Sequence, residues 1–340
     1  MPDRVLVTGI SGFVGGHLAL QLLEAGYIVR GSVRDLAKAD KVRETLARNG
    51  ADLSRLEFVA LDLLKDEGWR EAMDDVRYLQ HVASPFVIKM PRDRNELIRP
   101  AVDGTTRALE AAFAAGVERI VVTSSMAAIM YGHDVARTAP FTAEEWTNPD
   151  GPGVTAYVES KFRAERAAWE IAKKHDRTND LVCINPGGIF GPLLDEDPGT
   201  TGMLLARMMD GSLPATARIS LIVVDVRDVA ALHVLAMTQS EAGGRRFPTG
   251  AGSMSMFEMA NTIRENFPTY AKKLPRYEVP NWVVRIFAFL DADARDNLGE
   301  LGYDRRTDAV EARALLGRPF VTPEAAIVET ARSAVEHGIV

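Results

Sequence analysis

Tyr157 and Lys161 stand four residues apart in the run Tyr157-Val158-Glu159-Ser160-Lys161. The surrounding apolar spacing predicts a helix from about Ala156 to His175, which puts both side chains on one face. A phenol with a pKa of about 10 is a poor acid–base group, and a neighbouring cation lowers that value by roughly 1–3 units. That shift suffices for proton transfer near neutral pH. About thirty residues earlier, Thr123-Ser124-Ser125 closes a predicted strand. A serine hydroxyl there can hold a substrate oxygen while the phenol gives or takes its proton. Ser125 is the expected residue and Ser124 the alternative. Taken alone, Tyr157 and Lys161 are also consistent with an ordinary helix pair, so the elements around them have to decide.

The first of these elements is Gly9-Ile10-Ser11-Gly12-Phe13-Val14-Gly15, between an apolar run at Val5–Thr8 and a helical pattern over Val14–Glu24. Glycines at such a turn let the backbone approach a pyrophosphate, and the helix amino terminus offers free N–H groups and positive potential. The end of the second predicted strand, Tyr27–Val33, bears on the choice of cofactor. An acidic residue there holds ribose hydroxyls, whereas an arginine holds an added phosphate. Arg34 and Asp35 offer both, and Lys41 supplies a second cation for a dianion. A solvated Arg34–Asp35 surface pair, with Asp35 left to bind NAD, is the competing reading. Asp62, closing the third strand, either bonds an adenine amino group or caps a helix.

Strands and helices alternate through the first half. Further strands are predicted at Leu56–Leu61, Val76–Val82, Ile120–Thr123 and Leu181–Ile184. Further helices are predicted at about Lys38–Arg48 and Glu96–Ala115. Short buried strands separated by helices imply a doubly wound parallel Rossmann-type sheet covered on both faces. After Pro186 the alternation is lost. Leu221–Val224, with the helix after Asp225, and a strand near Arg246-Phe247 are expected to return to the sheet. The expected division is therefore a nucleotide-binding domain at 1–185 with a return segment at about 221–249. Residues 186–220 and 250–340 form a smaller, mostly helical substrate-binding lobe.

The 340 residues carry a net charge of −7, which disfavours a nucleic-acid partner. Cys183 is the single cysteine, so an internal disulfide and a cysteine-based zinc site are excluded. The six histidines lack metal-ligand spacing, and no metal is expected. No apolar run matches a signal peptide or a membrane span, so a cytoplasmic location is expected. Met203, Met208, Met209 and the stretch from Trp282 to Leu290 either line a pocket or pack as core of the lobe.

With Thr8 in front and Phe13 inside, the glycine loop resembles that of the extended short-chain dehydrogenase/reductase family. The likeness extends to Thr123-Ser124-Ser125, to Tyr157 with Lys161, and to Asn185-Pro186-Gly187-Gly188-Ile189-Phe190-Gly191-Pro192. Val29–Asp35, His81–Pro85 and Pro100–Thr105 are similar to motifs of the branch holding dihydroflavonol 4-reductase, cinnamoyl-CoA reductase and microbial aldehyde and ketone reductases. The resemblance covers essentially the whole chain. It implies NADPH-dependent reduction of a small aldehyde or ketone, with Ser125, Tyr157 and Lys161 as the catalytic set and Lys161 also on the nicotinamide ribose. It places NADP(H) against Gly9, Ser11, Gly12, Phe13 and Val14, with Arg34 and Lys41 at the adenosine phosphate. Asp62, Leu63, Val82, Ala83, Ser84, Thr123 and Ser124 complete that site, and Pro186, Gly187, Gly188 and Ile189 lie along the nicotinamide. Many short-chain relatives carry an asparagine where Ala101 stands, so no proton-relay role is assigned there. A hydroxysteroid dehydrogenase, a nucleotide-sugar epimerase and a non-catalytic NADP(H) sensor are the alternatives. Sugar-nucleotide dehydratases carry Thr-Asp-Glu where this chain has Ser125-Met126-Ala127, and sensors usually lose the tyrosine or the lysine. A monomer and a homodimer are both compatible with the sequence.

Overall fold

Val5 and Val7 of strand β1 (Arg4–Thr8) bury on one side of a sheet and Leu6 on the other, as a strand covered on both faces requires. The computed structural model describes residues 2–85, 93–134, 136–289 and 298–340. Six more strands join β1: β2 (Ile28–Val33), β3 (Leu56–Ala60), β4 (Val76–His81), β5 (Arg119–Thr123), β6 (Leu181–Pro186) and β9 (Arg246–Thr249). Their order is β3-β2-β1-β4-β5-β6-β9, with every pairing parallel. The chain builds outward from β1 to β3 and then returns to lay β4 against the other side of β1. That reversal opens a crevice at the carboxyl ends of β1 and β4, the usual ligand position in such sheets.

Helices α1 (Phe13–Glu24), α2 (Ala39–Arg48), α7 (Val226–Thr238) and α10 (Val310–Leu316) cover one face through Leu18, Leu22, Leu46, Val229 and Leu315. The other face carries α3 (Trp69–Ala72), α4 (Asn95–Ala114) and α5 (Ala156–Lys174), which bury Trp69, Leu109 and Ile171. The doubly wound sheet expected from the alternating pattern is present.

One expectation is corrected. Leu221–Val224 does not rejoin the main sheet. It lies in β8 (Ser220–Asp225), which pairs parallel with β7 (Gly188–Phe190) and antiparallel with β10 (Gly252–Ser255) in a separate three-stranded sheet. The reason is occupancy. β9 already fills the edge beside β6, in register from Cys183 opposite Arg246 to Pro186 opposite Thr249. Around the second sheet pack α6 (Gly199–Met209), α8 (Met256–Asn266) and α11 (Pro323–Glu336), sharing a core with Phe190, Leu205, Ile263 and Ile327. Met208 and Met209 belong to that core, whereas Met203 is exposed. Trp282 and Ile286 on α9 (Asn281–Phe287) are exposed, and Leu290 lies outside the described residues. Among the described residues no helix is long and apolar enough to cross a membrane, and no cluster of His, Cys, Asp or Glu is suited to a metal.

Candidate active site

The Thr8 side chain ties β1 to β4 at the crevice. Its hydroxyl accepts from the backbone N–H groups of Val82 and Ala83, both at 3.1 Å, and lies 3.0 Å from Nδ1 of His81. With both lone pairs engaged, the hydroxyl gives its proton to Nδ1, so His81 is a neutral acceptor there. Gly9 follows at φ +71°, and a Cβ on it would sit 2.9 Å from Ala83 Cα. A Cβ on Gly15 would meet the Gly9 carbonyl oxygen at 2.2 Å, so this turn closes only with glycine at both places.

Gly12 caps α1 without a side-chain hydrogen bond, while its own N–H donates to the Gly9 carbonyl at 3.0 Å. The first N–H groups of α1 therefore point outward with no side-chain cap. A dinucleotide pyrophosphate fits this arrangement, since it supplies the acceptors and the negative charge that the helix end lacks.

The remaining candidate residues gather at the same carboxyl edge. Val82, Ala83 and Ser84 follow β4, Ser124 and Ser125 follow β5, and Pro186 ends β6. Arg34 and Asp35 follow β2, with Arg34 exposed, and Asp62 and Leu63 follow β3. Several of these groups already have structural partners. Asp35 accepts from Ala37 N at 3.0 Å as the cap of a 3-10 turn. Asp62 accepts from Leu64 N at 3.0 Å in a turn after β3 and caps no helix among the described residues. The Leu63 carbonyl accepts from Arg107 at 2.9 Å. Lys41 pairs with Glu196 at 2.9 Å, and Thr45 on α2 and Asn49, its C-cap, bond Asp195 and the Leu194 carbonyl. An acidic strap thus lies on the helix expected to meet the adenosine phosphate.

The Thr155 side chain caps α5 through Val158 N, fixing the turn that carries Tyr157. Lys161 Nζ stands 5.9 Å from the Tyr157 ring centroid and donates to Ser84 Oγ at 3.1 Å. Tyrosine, lysine and the end of β4 therefore meet at the crevice, and Tyr157 keeps 36% of its surface exposed for a ligand. Ser125 caps a 3-10 turn by accepting from Ala127 N at 3.1 Å, which leaves its hydroxyl proton uncommitted. Ser124 differs. Its hydroxyl donates to buried Glu165, so the two serines have separate tasks.

Two features escaped the sequence reading. Glu165, two turns beyond Tyr157 on the same face of α5, is fully enclosed and bonded by donors from four other residues. Arg305 lies between the rings of Tyr131 and Tyr303, 4.4 and 4.5 Å from their centroids, and pairs with Glu300. Burial first, and then the Glu300 charge, push the Tyr131 phenol above its ordinary range, with Tyr157 acting in the same direction. Tyr131 is thus a second, protonated phenol close enough to feel Tyr157.

Burial also pushes His81 down to about 4, with the Lys161 ammonium adding to the effect. Burial pushes His233 down to about 3, where its ring bridges Gln80 at 2.8 Å and Thr123 at 2.9 Å. Both folded values lie below the ordinary 6.5, so the unfolded chain binds more protons once the pH drops past about 6.5. The stability they contribute is complete above that point and is lost as the pH falls towards about 4 for His81 and about 3 for His233. His81 alone accounts for about 3 kcal/mol across this window. Thermal melts should show Tm falling steeply between pH 6.5 and 4. A flat profile over that range would mean the rings are not held neutral.

A parallel seven-stranded sheet with a glycine turn at the switch point is the architecture of a dinucleotide-binding α/β protein, and Tyr157, Lys161 and Ser84 meet at that crevice. Residues 5–249 match the model of the NAD dependent epimerase/dehydratase family, and the chain belongs to that family. Ketoreductase azaE of Aspergillus niger is 33% identical over 90% of this chain and 95% of its own length. Cinnamoyl-CoA reductase 1 of Petunia hybrida is 32% identical over 98% of this chain and 92% of its own. Yeast methylglyoxal/isovaleraldehyde reductase Gre2, solved in complex with NADPH, superposes with a TM-score of 0.81 at 26% identity, covering 99% of this chain and 100% of that one. The family motifs in the sequence point the same way, and the protein is an oxidoreductase.

Proposed function

We propose that this protein reduces a small, neutral aldehyde or ketone to the alcohol, with NADPH as the hydride donor. NADPH, when bound, supplies the hydride to the carbonyl carbon; the protein supplies the proton and the electrostatics. Ser125 Oγ donates its free hydrogen to the carbonyl oxygen, and the Tyr157 phenol delivers a proton to that oxygen as it turns into an alkoxide. Lys161 steadies the charge left on the phenol oxygen. The observation that carries this reading is the position of Lys161, between Ser84 at the end of β4 and the ring of Tyr157. Arg34 and Lys41, with Asp35 already engaged as a cap, favour a phosphorylated adenosine over a plain ribose. The pairing of Arg305 with Glu300 favours a neutral substrate, because an anion near Tyr131 would meet a guanidinium already neutralised. Relatives named as reductases of ketones, aldehydes and cinnamoyl-CoA support the carbonyl class.

The test is NADPH oxidation followed at its own absorbance against aliphatic aldehydes, aryl ketones, ketoesters and diketones, with NADH as control. Carbonyl-dependent oxidation that prefers NADPH is expected for at least one class. No carbonyl-dependent oxidation across the whole panel would overturn the proposal.

A further inference from the structure

Glu165 is a buried carboxylate held by four side-chain donors. Its Oε2 accepts from the hydroxyl of Ser124 and from Asn185 Nδ2 at 2.6 Å. Its Oε1 accepts from Arg246 Nε at 2.5 Å and Trp169 Nε1 at 3.3 Å. Arg246 in turn donates to the carbonyls of Ala143 and Glu145 at 2.6 and 2.7 Å and lies over Trp146, its Cζ 3.6 Å from the ring centroid. One side chain of α5 thus holds the ends of β5, β6 and β9 together. The same Asn185 Nδ2 also donates to the backbone carbonyl of Ser125 at 3.3 Å.

We propose that Glu165 is a positioning residue. Through Asn185 it fixes the Ser125 backbone relative to the helix that carries Tyr157 and Lys161. The inference rests on the reading of Ser125 and Tyr157 given above and extends it to residues that touch no substrate. A carboxylate offers acceptors to all four donors and presents no hydrogen to any of them. A glutamine must turn its amide N–H groups against one pair. If they face Asn185, that side chain satisfies them by rotating its amide, which places Oδ1 against the Ser125 carbonyl, acceptor against acceptor. Ser125 then loses its anchor while Tyr157 and Lys161 keep their places.

The decisive variants are Asn185→Ala, which cuts the Glu165–Ser125 link and leaves the buried ion pair intact, and Glu165→Gln. Each is made in the wild-type protein and again in the Ser125→Ala background. Displacing a catalytic hydroxyl by about an ångström costs on the order of 10²-fold. Both variants should therefore lower kcat by about 10- to 100-fold, with the NADPH Kd changed less than about twofold. Added to Ser125→Ala, each should cost less than about threefold more, because a positioning residue has nothing left to position. A merely structural role would instead lower Tm and add its full loss in both backgrounds, and that pattern would overturn the proposal. Should Glu165→Gln not fold, Asn185→Ala decides alone, and unchanged kcat there sinks the idea. Tyr157→Phe separates the two levels. If it stays active, the assignment of Tyr157 as proton donor falls; if it is inactive while Asn185→Ala is unimpaired, only the positioning role falls.

Discussion

Tyr157→Phe should lower kcat for carbonyl reduction by about 10³-fold while NADPH binding stays within a few-fold of the parent. The substitution removes one oxygen and keeps the ring, so the contact with the Lys161 ammonium at 5.9 Å survives. Tyr157 is partly exposed, and losing its hydroxyl opens no cavity in the core. What disappears is the proton that the developing alkoxide requires. Ser125 cannot replace it, because a serine hydroxyl gives up its proton far less readily than a phenol. Tyr131 is a second phenol that interacts with Tyr157, and its burial beside Glu300 holds its proton more tightly than usual. Single-turnover mixing of enzyme, NADPH and aldehyde, together with fluorescence titration of NADPH, measures both quantities. Turnover within tenfold of the parent would move the proton donor to Tyr131. Loss of NADPH binding instead would make Tyr157 a cofactor ligand rather than an acid.

The sheet and most of the crevice were legible because their determinants are local. Period-two burial marks β1, and glycines fix a turn that only glycine can make. Tyr157 and Lys161 share a face by helix geometry alone. What failed to read depends on contacts distant in sequence. Ser220–Asp225 is as apolar as the main-sheet strands, and nothing local says that β9 has taken the edge beside β6. Glu165 looks like one more charge on a polar helix. Its burial follows from lying one turn beyond Lys161 on the face that α5 turns to β5 and β6. The 157, 161, 165 spacing was the available signal, and a glutamate on that face needs buried donors, which Arg246 and Asn185 provide. The roles of Ser124 and Ser125 divide only once Glu165 is in place. Asp62 is as well suited to bonding a base as to capping a turn, and Leu64 N engages it in the turn after β3.

Arg34→Ala should raise KM for NADPH by roughly 10- to 100-fold and change the kinetics with NADH little. Arg34 is the first residue beyond β2, exposed, and without an ion pair among the described residues. A phosphate placed against it gains one or two charge-assisted bonds of about 1.5–3 kcal/mol. Asp35 does not oppose this strongly, because one of its oxygens is engaged by Ala37 N at 3.0 Å. Lys41 should matter less than Arg34. Its ammonium must first leave Glu196, and although that pair is exposed on both sides and weak, the exchange offsets part of the gain. Lys41→Ala is therefore expected to cost only a few-fold in KM for NADPH. The contrast is checked by measuring kcat/KM for both cofactors in the parent and in each variant, at low and at physiological salt. The NADPH-specific loss should shrink as salt screens the phosphate. Equal losses for NADPH and NADH in Arg34→Ala would mean that the guanidinium shapes the end of β2 instead of reading a phosphate. Preference for NADPH would then have to come from the loop after β3 or from the acidic strap at 194–197.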